Sequence, residues 1–364
     1  MMIPVMQIVD TLAPGGLERV AINIANAMPR DKYSSHLCTT RSTGRLQQAL
    51  LADVGQLHLH RHYRFDLGAL ARMIRYVRTQ RIQILHAHGS AIAISAVVST
   101  FPPFPAVIWH DHFGRYAVES RSVLLYRLLT RSAAAIISVN HQLAQWATQQ
   151  LNFPSEKVWY VPNFVVPPPE ITHAAVLPGY PGTRIVCVAN LRPQKDHMVL
   201  IRAMELVVRE HPKAHLILVG GIIDKGYWQT VQKEIASLHL NGNITWLGIR
   251  DDVQAILRGC DIGVLSSVSE GLPLALIEYG MAGLPSVVTR VGQCEEVLDR
   301  GDAGILVPPQ SPRELGEGIC AMLSDPSRRA QFADRFRKYV TQHFSAHGAM
   351  KVITEIYERA VGHE

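Results

Sequence analysis

The chain has 364 residues, 48 % of them apolar and 18 % charged, which excludes a disordered or fibrous protein and predicts two globular domains. Residues 1–163 carry 16 Lys and Arg against 8 Asp and Glu, whereas residues 164–364 carry 20 against 22. The basic excess behind the net charge of +6 therefore lies in the first half. It indicates an anionic partner: nucleic acid, an anionic membrane or an anionic substrate.

Cysteine usage and hydropathy limit the cellular compartments in which the protein is expected. Five scattered cysteines disfavour a disulfide framework or a thiolate zinc site and fit a reducing compartment. The N-terminal sequence has no charged leader or cleavage site, so we expect no signal peptide. The longest apolar stretch, residues 90–98, is too short to span a bilayer. We expect a cytoplasmic protein, soluble or peripheral on the inner face of the membrane.

The first half alternates short β-branched runs with longer helical patterns. Predicted strands cover residues 6–9, 82–86, 106–109, 135–139 and 159–161. An amphipathic helix at 17–28 follows a Gly15-Gly16 loop. The pattern of strand, loop, helix and strand predicts a mostly parallel sheet. Prolines and glycines in residues 166–183 then predict a stiff, irregular linker.

The alternation restarts after the linker. Predicted strands cover residues 184–189, 215–219, 244–247, 262–265, 286–288 and 304–307. Helical patterns occupy residues 197–211, 228–238, 253–259 and 346–359. We therefore predict an α/β fold with two doubly wound, Rossmann-like domains, at 1–165 and 184–343, that face a central cleft. Ligands bind at the carboxyl ends of strands in such sheets, so the loops after strands are where chemistry is expected.

The loop after the predicted strand 262–265 is the strongest candidate site. Gly271 lets the backbone approach a ligand, and Pro273 suits the first turn of a helix whose N-terminus offers N–H groups to an anion. Glu270 and Glu278 can accept hydrogen bonds from sugar or ribose hydroxyls. The alternative for these two acids is structural, with Glu270 capping the helix and Glu278 on a solvated face.

A second candidate loop, residues 190–197, follows the predicted strand 184–189. Arg192 and Lys195 suit a diphosphate, the lysine as a point charge and the arginine as a planar fork. A solvated turn is the alternative for such a loop. Its position after the first strand of the second domain favours phosphate binding.

Several ordered motifs along the chain resemble those of one enzyme family. They are GGLER at 15–19, VPNF at 161–164, NLRPQK at 190–195, LILVGG at 216–221, WLG at 246–248, SEGLPLALIE at 269–278 and GILVPPQSP at 304–312. With these motifs the chain resembles the retaining glycosyltransferases of family 4, which have the GT-B fold. The resemblance implies a C-terminal helix, within 344–364, that packs back on the first domain.

The resemblance also implies roles for residues of the second half. Glu278 matches the residue that grips the ribose hydroxyls of a nucleotide-sugar, and Glu270 matches the one that contacts donor-sugar hydroxyls. The backbone at Gly271 and Leu272 is expected near sugar and phosphate. Lys195 matches the lysine that holds the diphosphate.

One arginine departs from the family pattern. Many members place an arginine where this chain has Asn190, so Arg192 is a weaker match than the neighbouring lysine. Contacts to the nucleotide base are implied around Leu247, Arg250 and Val253.

In the first half, Gly15 and Gly16 match a glycine loop that approaches the donor phosphates and the acceptor. His110 best matches a histidine that follows a strand and lies near the reacting sugar, and His112 is its runner-up. His86 and His88 are assigned to the acceptor side. A structural histidine is the alternative for His110 and for His112.

Missing motifs limit the cofactors. The sequence contains no Asp-x-Asp, so the metal-bridged diphosphate of the other glycosyltransferase fold is not expected. It also lacks Gly-x-Gly-x-x-Gly after a strand, which disfavours a nicotinamide dehydrogenase. His58, His60 and His62 alternate in a strand-like stretch, but no acid or cysteine is in register to complete a metal site. We therefore expect neither a metal nor another cofactor.

Two arginine-rich segments account for the basic half. The first contains Arg64, Arg72, Arg75, Arg78 and Arg81, and the last four are spaced by three as on one helical face. The second segment contains Arg115, Arg121, Arg127 and Arg131 beside Leu124, Leu125, Leu128 and Leu129. A solvated amphipathic face is the default interpretation, and docking on anionic lipid is the alternative. Nucleic acid is disfavoured because no known binding motif or aromatic platform accompanies the arginines.

Taken together, these features predict a retaining, metal-independent hexosyltransferase. The donor is expected to be a nucleoside diphosphate sugar, UDP by default with GDP as the alternative, and the acceptor a hydroxyl of a glycan or lipid-linked glycan. Two other functions stay open: a nucleotide-sugar-binding protein without transferase activity, and a GT-B-fold epimerase that acts on the nucleotide-sugar itself.

Overall fold

A computed structural model describes residues 2–63, 66–113, 121–166 and 175–362. The described residues up to 166, together with 346–362, form one compact unit, and residues 175–345 form a second. Arg64, Arg115 and the proline run at 167–169 lie outside the described residues.

The first unit is built on a parallel sheet. Its elements are β1 (Ile3–Val9), α1 (Gly16–Ala27), β2 (Tyr33–Thr39), β3 (Gly55–His58), α2 (Leu67–Thr79), β4 (Ile84–His88), α3 (Ile92–Val98), β5 (Ala106–Asp111), α4 (Val123–Thr130), β6 (Ala133–Ser138), α5 (His141–Gln149) and β7 (Val158–Tyr160). Within the described residues, seven strands pair in the order β3-β2-β1-β4-β5-β6-β7.

The second unit repeats this plan. Its elements are β8 (Arg184–Val188), α6 (His197–Glu210), β9 (His215–Val219), α7 (Lys225–Ser237), β10 (Ile244–Gly248), α8 (Val253–Arg258), β11 (Ile262–Leu265), α9 (Leu274–Ala282), β12 (Ser286–Thr289), α10 (Cys294–Val297), β13 (Ile305–Val307), α11 (Pro312–Ser324) and α12 (Pro326–His343). The described strands pair in the order β10-β9-β8-β11-β12-β13. The last helix, α13 (Ala346–Ala360), belongs to the first unit.

In both sheets, strands two and three lie on one side of the first strand and the later strands lie on its other side. Counted within each unit, the first six described strands have the order 3-2-1-4-5-6, which is the doubly wound order of Rossmann-like domains, and the first unit adds a seventh strand after them. All described strand pairs are parallel. The predicted α/β fold with two doubly wound domains is therefore confirmed, and each sheet collects the loops that follow its strands at one edge.

Each sheet buries apolar side chains under its helices. In the second unit, α6 and α11 pack together over the sheet, with Leu200, Met204 and Leu315 fully buried between them. Burying a side chain of this size stabilises the folded state by roughly 1.5–3 kcal/mol. Among the described helices, none combines the length and apolar character needed to cross a bilayer.

Two arginines predicted to lie on helical surfaces are placed differently. Helix α2 ends at Thr79, and Arg81 has a φ of 52°, so this residue does not share the helical face of the preceding arginines. The Arg121 side chain is only 9 % exposed: its guanidinium donates to both carboxylate oxygens of Asp111, at 2.9 and 2.8 Å, and lies 3.8 Å from the Trp146 ring centroid. These two residues are corrections to the predicted basic faces.

Candidate functional site

Two loops at the carboxyl edge of the second sheet are joined by hydrogen bonds. One follows β8 and the other follows β11, and these strands are neighbours. The Val268 amide donates to the Gln194 carbonyl at 3.0 Å, and Gln194 Nε2 donates to the Ser269 carbonyl at 2.7 Å. Ser266 Oγ donates to the Lys195 carbonyl at 3.0 Å. The two loops predicted to carry the chemistry therefore form one structural unit.

A buried ion pair lies where these loops meet. Lys195 Nζ donates to Glu270 Oε1 at 2.5 Å, and Ser267 Oγ donates to the same oxygen at 2.6 Å. The Lys195 side chain is 14 % exposed and that of Glu270 is 7 % exposed, so water screens the pair weakly. An ammonium has three donors, and one contact to a carboxylate leaves it able to bind a phosphate oxygen as well.

The Asn190 loop explains the paired glycines after β9. Asn190 Oδ1 accepts a hydrogen bond from the Gly221 amide at 2.9 Å. A Cβ atom on Gly220 would lie 2.2 Å from the Ala189 carbonyl oxygen, and the φ of Gly220 is +152°. The Asn190 side chain therefore fixes the loop backbone, at the position where many family members carry arginine.

Gly292 supports the Glu270 loop from behind. A Cβ on Gly292 would lie 2.2 Å from the Glu270 carbonyl oxygen, and its φ is +53°. The neighbouring Gln293 amide donates to the Gly271 carbonyl at 3.0 Å. Only glycine fits this contact without moving the loop.

We predict that Gly292→Ala destabilises the protein more than Gly283→Ala does, and weakens donor binding. Gly283 has a comparable φ of +68°, but the atom nearest its added Cβ is 3.7 Å away. Both variants lose stability because alanine is strained in a left-handed backbone conformation. Only Gly292→Ala adds a steric clash, which costs about 1–3 kcal/mol more of folding free energy. Urea unfolding and a donor titration measure the two effects. Equal stability of the two variants would contradict the contact.

Helix α9 carries the second acid of the Glu270 loop. It begins at Leu274, with Pro273 as its N-cap, and Glu278 is its fifth residue. Gly271 and Leu272 are buried in the turn before it, and Glu278 is half-buried. Helix α9 begins four residues after Glu270, and the unpaired backbone N–H groups of a helix N-terminus favour an anion.

The residues assigned to the nucleotide base lie at the end of β10 and in the segment that follows it. Leu247 is half-buried near the end of that strand, and Val253 is the first residue of α8. Arg250 is exposed and forms an ion pair with Asp252, with Nη2 and Oδ2 2.6 Å apart. Arg192 is half-buried and precedes a short 3₁₀ turn at Pro193–Lys195.

The predicted glycine loop of the first unit begins α1. Gly15 is the N-cap in an extended conformation, Gly16 is the first helical residue, and Glu18 occupies the third helical position. A Cβ on Gly15 would lie 2.2 Å from Glu18 Oε2, so the acid folds back over the N-cap as in a capping box. Burial raises the pKa of Glu18.

A histidine cluster lies at the carboxyl edge of the first sheet. We call it the histidine network; its members are Gln7, His86, His88, His110, His112 and Tyr357. His86 Nε2 is 3.1 Å from His110 Nδ1, and His88 Nδ1 is 3.0 Å from His112 Nε2. The four predicted histidines are therefore neighbours.

Burial keeps these histidines neutral. Desolvation, helped by the charge of His112, lowers the pKa of His86 to about 3, and desolvation lowers the pKa of His112 to about 3. The pKa values of His88 and His110 are lowered well below 6.5, again chiefly by desolvation. Each ring therefore has one donor nitrogen and one acceptor nitrogen near neutral pH.

Three histidines of the network lie close enough to share a metal ion. Ring nitrogens of His86, His88 and His110 lie within 4.8 Å of one another, a separation that would allow a shared ion. The rings, however, are stacked, with angles of 13° between His86 and His88 and 18° between His86 and His110. Imidazole lone pairs lie in the ring plane, so stacked rings do not direct them to one point. The contacts that these rings make in the structure are hydrogen bonds, between His86 and His110 and between His88 and Gln7.

Sequence reasoning missed several supporting residues. Gln7 and Tyr357 join the histidine network, Ser267 binds Glu270, and Gly292 backs its loop. A signal for the network was present, because His86 and His88, like His110 and His112, have the spacing of one strand face. No local signal marks Gly292 or Tyr357.

The fold and the anion-suited loops define a two-domain, Rossmann-like protein of the GT-B class. Residues 180–339 match the family model "Glycosyl transferases group 1", and residues 14–167 match "Glycosyltransferase Family 4". The chain belongs to the group 1 glycosyltransferases.

Relatives agree with this assignment. N-acetyl-alpha-D-glucosaminyl L-malate synthase of Bacillus anthracis is 24 % identical over 84 % of this chain and 77 % of that enzyme. UDP-Gal:alpha-D-GlcNAc-diphosphoundecaprenol alpha-1,3-galactosyltransferase of Escherichia coli is 24 % identical over 76 % of each chain. Anabaena HepE, solved in complex with UDP and glucose, superposes with a TM-score of 0.83 at 20 % identity, over 98 % of this chain and 99 % of that one.

Proposed function

We propose that the protein is a retaining hexosyltransferase that moves a sugar from UDP to a hydroxyl of a glycan or lipid-linked glycan. The observation that carries the proposal is the buried Lys195–Glu270 pair between two joined loops, beside the N-terminus of α9. A fixed cation and helix amides aimed at one place stabilise the charge that develops on a leaving diphosphate. UDP is chosen because HepE was solved with UDP and the E. coli relative uses UDP-Gal.

Each residue has one role in this proposal. Lys195, with Arg192, neutralises the diphosphate, and Glu278 binds the ribose. Glu270, Gly271 and Leu272 contact the donor sugar and its phosphate. The base lies against Leu247, Arg250 and Val253.

The first unit supplies the remaining roles. Gly15 and Gly16 allow close backbone approach, and His110 contacts the reacting sugar. His86, His88 and His112 belong to the acceptor side.

The proposed chemistry needs neither a metal nor a protein nucleophile. Lys195 and the helix amides take the place of a cation on the diphosphate. The acceptor hydroxyl attacks on the face that the diphosphate leaves, and the departing phosphate oxygen receives its proton, so the anomeric configuration is retained. Trapping of a covalent glycosyl-enzyme would contradict this course.

A donor screen tests the proposal. UDP-glucose at 100 times its dissociation constant is expected to stabilise the protein by about 2.7 kcal/mol, a melting shift on the order of 5–10 °C, whereas GDP- and ADP-sugars shift it less. UDP release with a glycan acceptor should persist in EDTA, and the product anomer is assigned by NMR. Epimerisation of the donor alone would favour an epimerase, and binding without hydrolysis or transfer would favour a binding protein.

We further propose that the first unit docks on an anionic membrane surface through α4. Leu124 and Leu128 are 79 % and 67 % exposed on this helix. Arg127 and Arg131, each three residues after one of these leucines, line a groove together with Lys157. Apolar side chains bordered by cations match a bilayer interface with anionic headgroups, where lipid-linked acceptors reside.

Leu124→Ser/Leu128→Ser is predicted to reduce co-sedimentation with phosphatidylglycerol vesicles, because it removes apolar area that enters the interface. Ile223→Ser is the matched control, since Ile223 is 65 % exposed but lies in the second unit. Phosphatidylcholine vesicles should retain less protein than phosphatidylglycerol vesicles. Equal binding to both vesicles, or by both variants, would contradict the α4 surface.

A further inference from the structure

The histidine network is an unbroken series of hydrogen bonds that crosses three strands and passes through Tyr357 of α13. His88 Nε2 is 2.9 Å from Gln7 Oε1, and Gln7 Nε2 donates to Tyr357 Oη at 3.0 Å. Tyr357 Oη is 2.6 Å from His86 Nδ1. With the two histidine–histidine contacts already described, the chain runs from His112 at one end to His110 at the other.

Strand register explains why these side chains meet. Gln7 of β1 pairs with His86 of β4, and His88 pairs with His110 of β5. Partners in register point to the same face, and so do residues two apart in a strand. All of these side chains therefore lie on one face of the sheet, where Tyr357 of α13 covers them.

Proton positions along the chain depend on one another. A neutral imidazole donates from one nitrogen and accepts at the other, so assigning one proton assigns the next. The Gln7 amide provides the asymmetry, with its oxygen toward His88 and its nitrogen toward Tyr357. Tyr357 Oη accepts from the Gln7 amide, and its other hydrogen-bond contact among the described residues is His86 Nδ1. A buried phenol O–H needs an acceptor, so we take it to donate to His86 Nδ1. His86 Nε2–H then donates to His110 Nδ1.

We propose that Gln7 and Tyr357 are positioning residues that hold His110 in the tautomer with its proton on Nε2. His110 Nε2 is buried and has no hydrogen-bond partner among the described residues, so a proton there is an unsatisfied donor that a ligand reaching this position would pair. The inference rests on the proposed function in one respect, the contact of His110 with the reacting sugar. It assigns to α13 a part in the chemistry: its tyrosine selects a hydrogen-bond donor, rather than an acceptor, at His110.

The hydrogen bonds from Gln7 to His88 and His112 fix the tautomers of these two histidines as well. His88 Nε2–H donates to the Gln7 oxygen, so His88 Nδ1 accepts from His112 Nε2–H. His112 therefore carries a bare Nδ1. His110 and His112 are thus held in the same tautomer through different partners. Removing the Tyr357 hydroxyl leaves only His86 and His110 free to change tautomer.

Nitrogen NMR of the full chain tests the tautomers without any substrate. In ¹⁵N-histidine-labelled protein, the His110 signals are assigned by their loss in His110→Asn. We expect a proton on His110 Nε2 in the wild type and a mixture of tautomers in Tyr357→Phe. Gln7→Met is a second cut and should also give a mixture. Tyr33→Phe is the control, because Tyr33 is buried against α13 and its hydroxyl bonds the Thr354 carbonyl, at 3.4 Å, and Glu358, which are outside the histidine network.

Kinetics separate positioning from packing. Tyr357→Phe should lower kcat about 10-fold with a donor KM within about 2-fold, the scale for losing a group that orients a functional histidine. Tyr33→Phe should leave kcat unchanged. A His110 proton on Nδ1 in the wild type, or an unchanged tautomer in Tyr357→Phe, overturns the inference whatever the activity. Full turnover by His110→Asn would instead contradict the proposed role of His110, while the NMR result still decides the tautomer.

Discussion

Lys195→Ala is expected to slow sugar transfer by about 10²–10³-fold, because the variant loses the fixed cation on the leaving diphosphate. The same change is expected to destabilise the protein by about 3–5 kcal/mol, since it leaves the buried Glu270 carboxylate without its ion-pair partner. Transfer assays under single-turnover conditions and urea unfolding measure the two losses.

A second substitution separates the catalytic loss from the structural one. In Lys195→Ala/Glu270→Gln the buried charge is gone, and the Ser267 hydroxyl can still donate to the amide oxygen. Stability should therefore return toward the wild-type value while transfer stays slow. If stability and transfer recovered together, the pair would be structural and Lys195 would have no role at the diphosphate.

An exposed pair provides the control. Lys338 Nζ lies 2.7 Å from Asp334 Oδ2, and these side chains are 75 % and 52 % exposed. Lys338→Ala removes a lysine from the same unit, but exposed pairs contribute only about 0–1 kcal/mol. We expect no change in transfer and little change in stability.

Acidification from pH 7 to pH 5 is expected to destabilise the protein steeply. The histidines of the network have folded-state pKa values lowered by burial, to about 3 for His86 and His112, and well below 6.5 for His88 and His110. Below pH 6.5 the unfolded chain binds protons that the folded chain excludes, so stability is full above pH 6.5 and falls as pH decreases. His86 and His112, with pKa values of about 3, each cost about 2 kcal/mol over this range, and His88 and His110 act in the same direction.

The expected loss is large relative to protein stability. His86 and His112 alone amount to roughly 4 kcal/mol, which is a large fraction of the free energy of unfolding of a typical domain. Burial raises the pKa values of Glu18 and Asp111, and these carboxyls oppose the trend at lower pH. We expect the first unit to lose its fold near pH 5.

Urea unfolding at pH 7, 6 and 5 measures this effect. His112→Gln removes one titrating ring and should flatten the pH dependence by about one proton. His347→Gln is the control, because His347 is exposed on α13. A free energy of unfolding that stays constant from pH 7 to pH 5 would contradict the neutral, buried network.

Local patterns predicted most strands of the second unit. The predicted runs at 215–219 and 262–265 coincide with β9 and β11, because both are short, continuous apolar segments buried on both faces. β2 was missed. Its sequence, with Ser34, Ser35 and His36, lacks an apolar run, yet pairing with β1 on one side and β3 on the other places it inside the sheet.

For the candidate loops, too, part of the structure was predictable from the sequence and part was not. Their positions after β8 and β11 follow from the alternation of strands and helices, and Lys195 and Glu270 were chosen from the residue types in those loops. Their direct contact was not predictable, because 75 positions separate them in sequence. The same holds for Gly292, whose φ and close neighbours exist only once β12 lies beside β11.

The sequence by itself determined the doubly wound α/β fold, the family and the two loops suited to an anion. These depend on periods of two and 3.6 residues and on motifs that are contiguous in the chain. The tertiary structure alone decided that Lys195 pairs with Glu270 and that Tyr357, 271 positions from His86, joins the histidine network. The physical reason is that hydrogen bonds and ion pairs depend on distances of about 3 Å, which strand register and helix docking set between residues far apart in sequence.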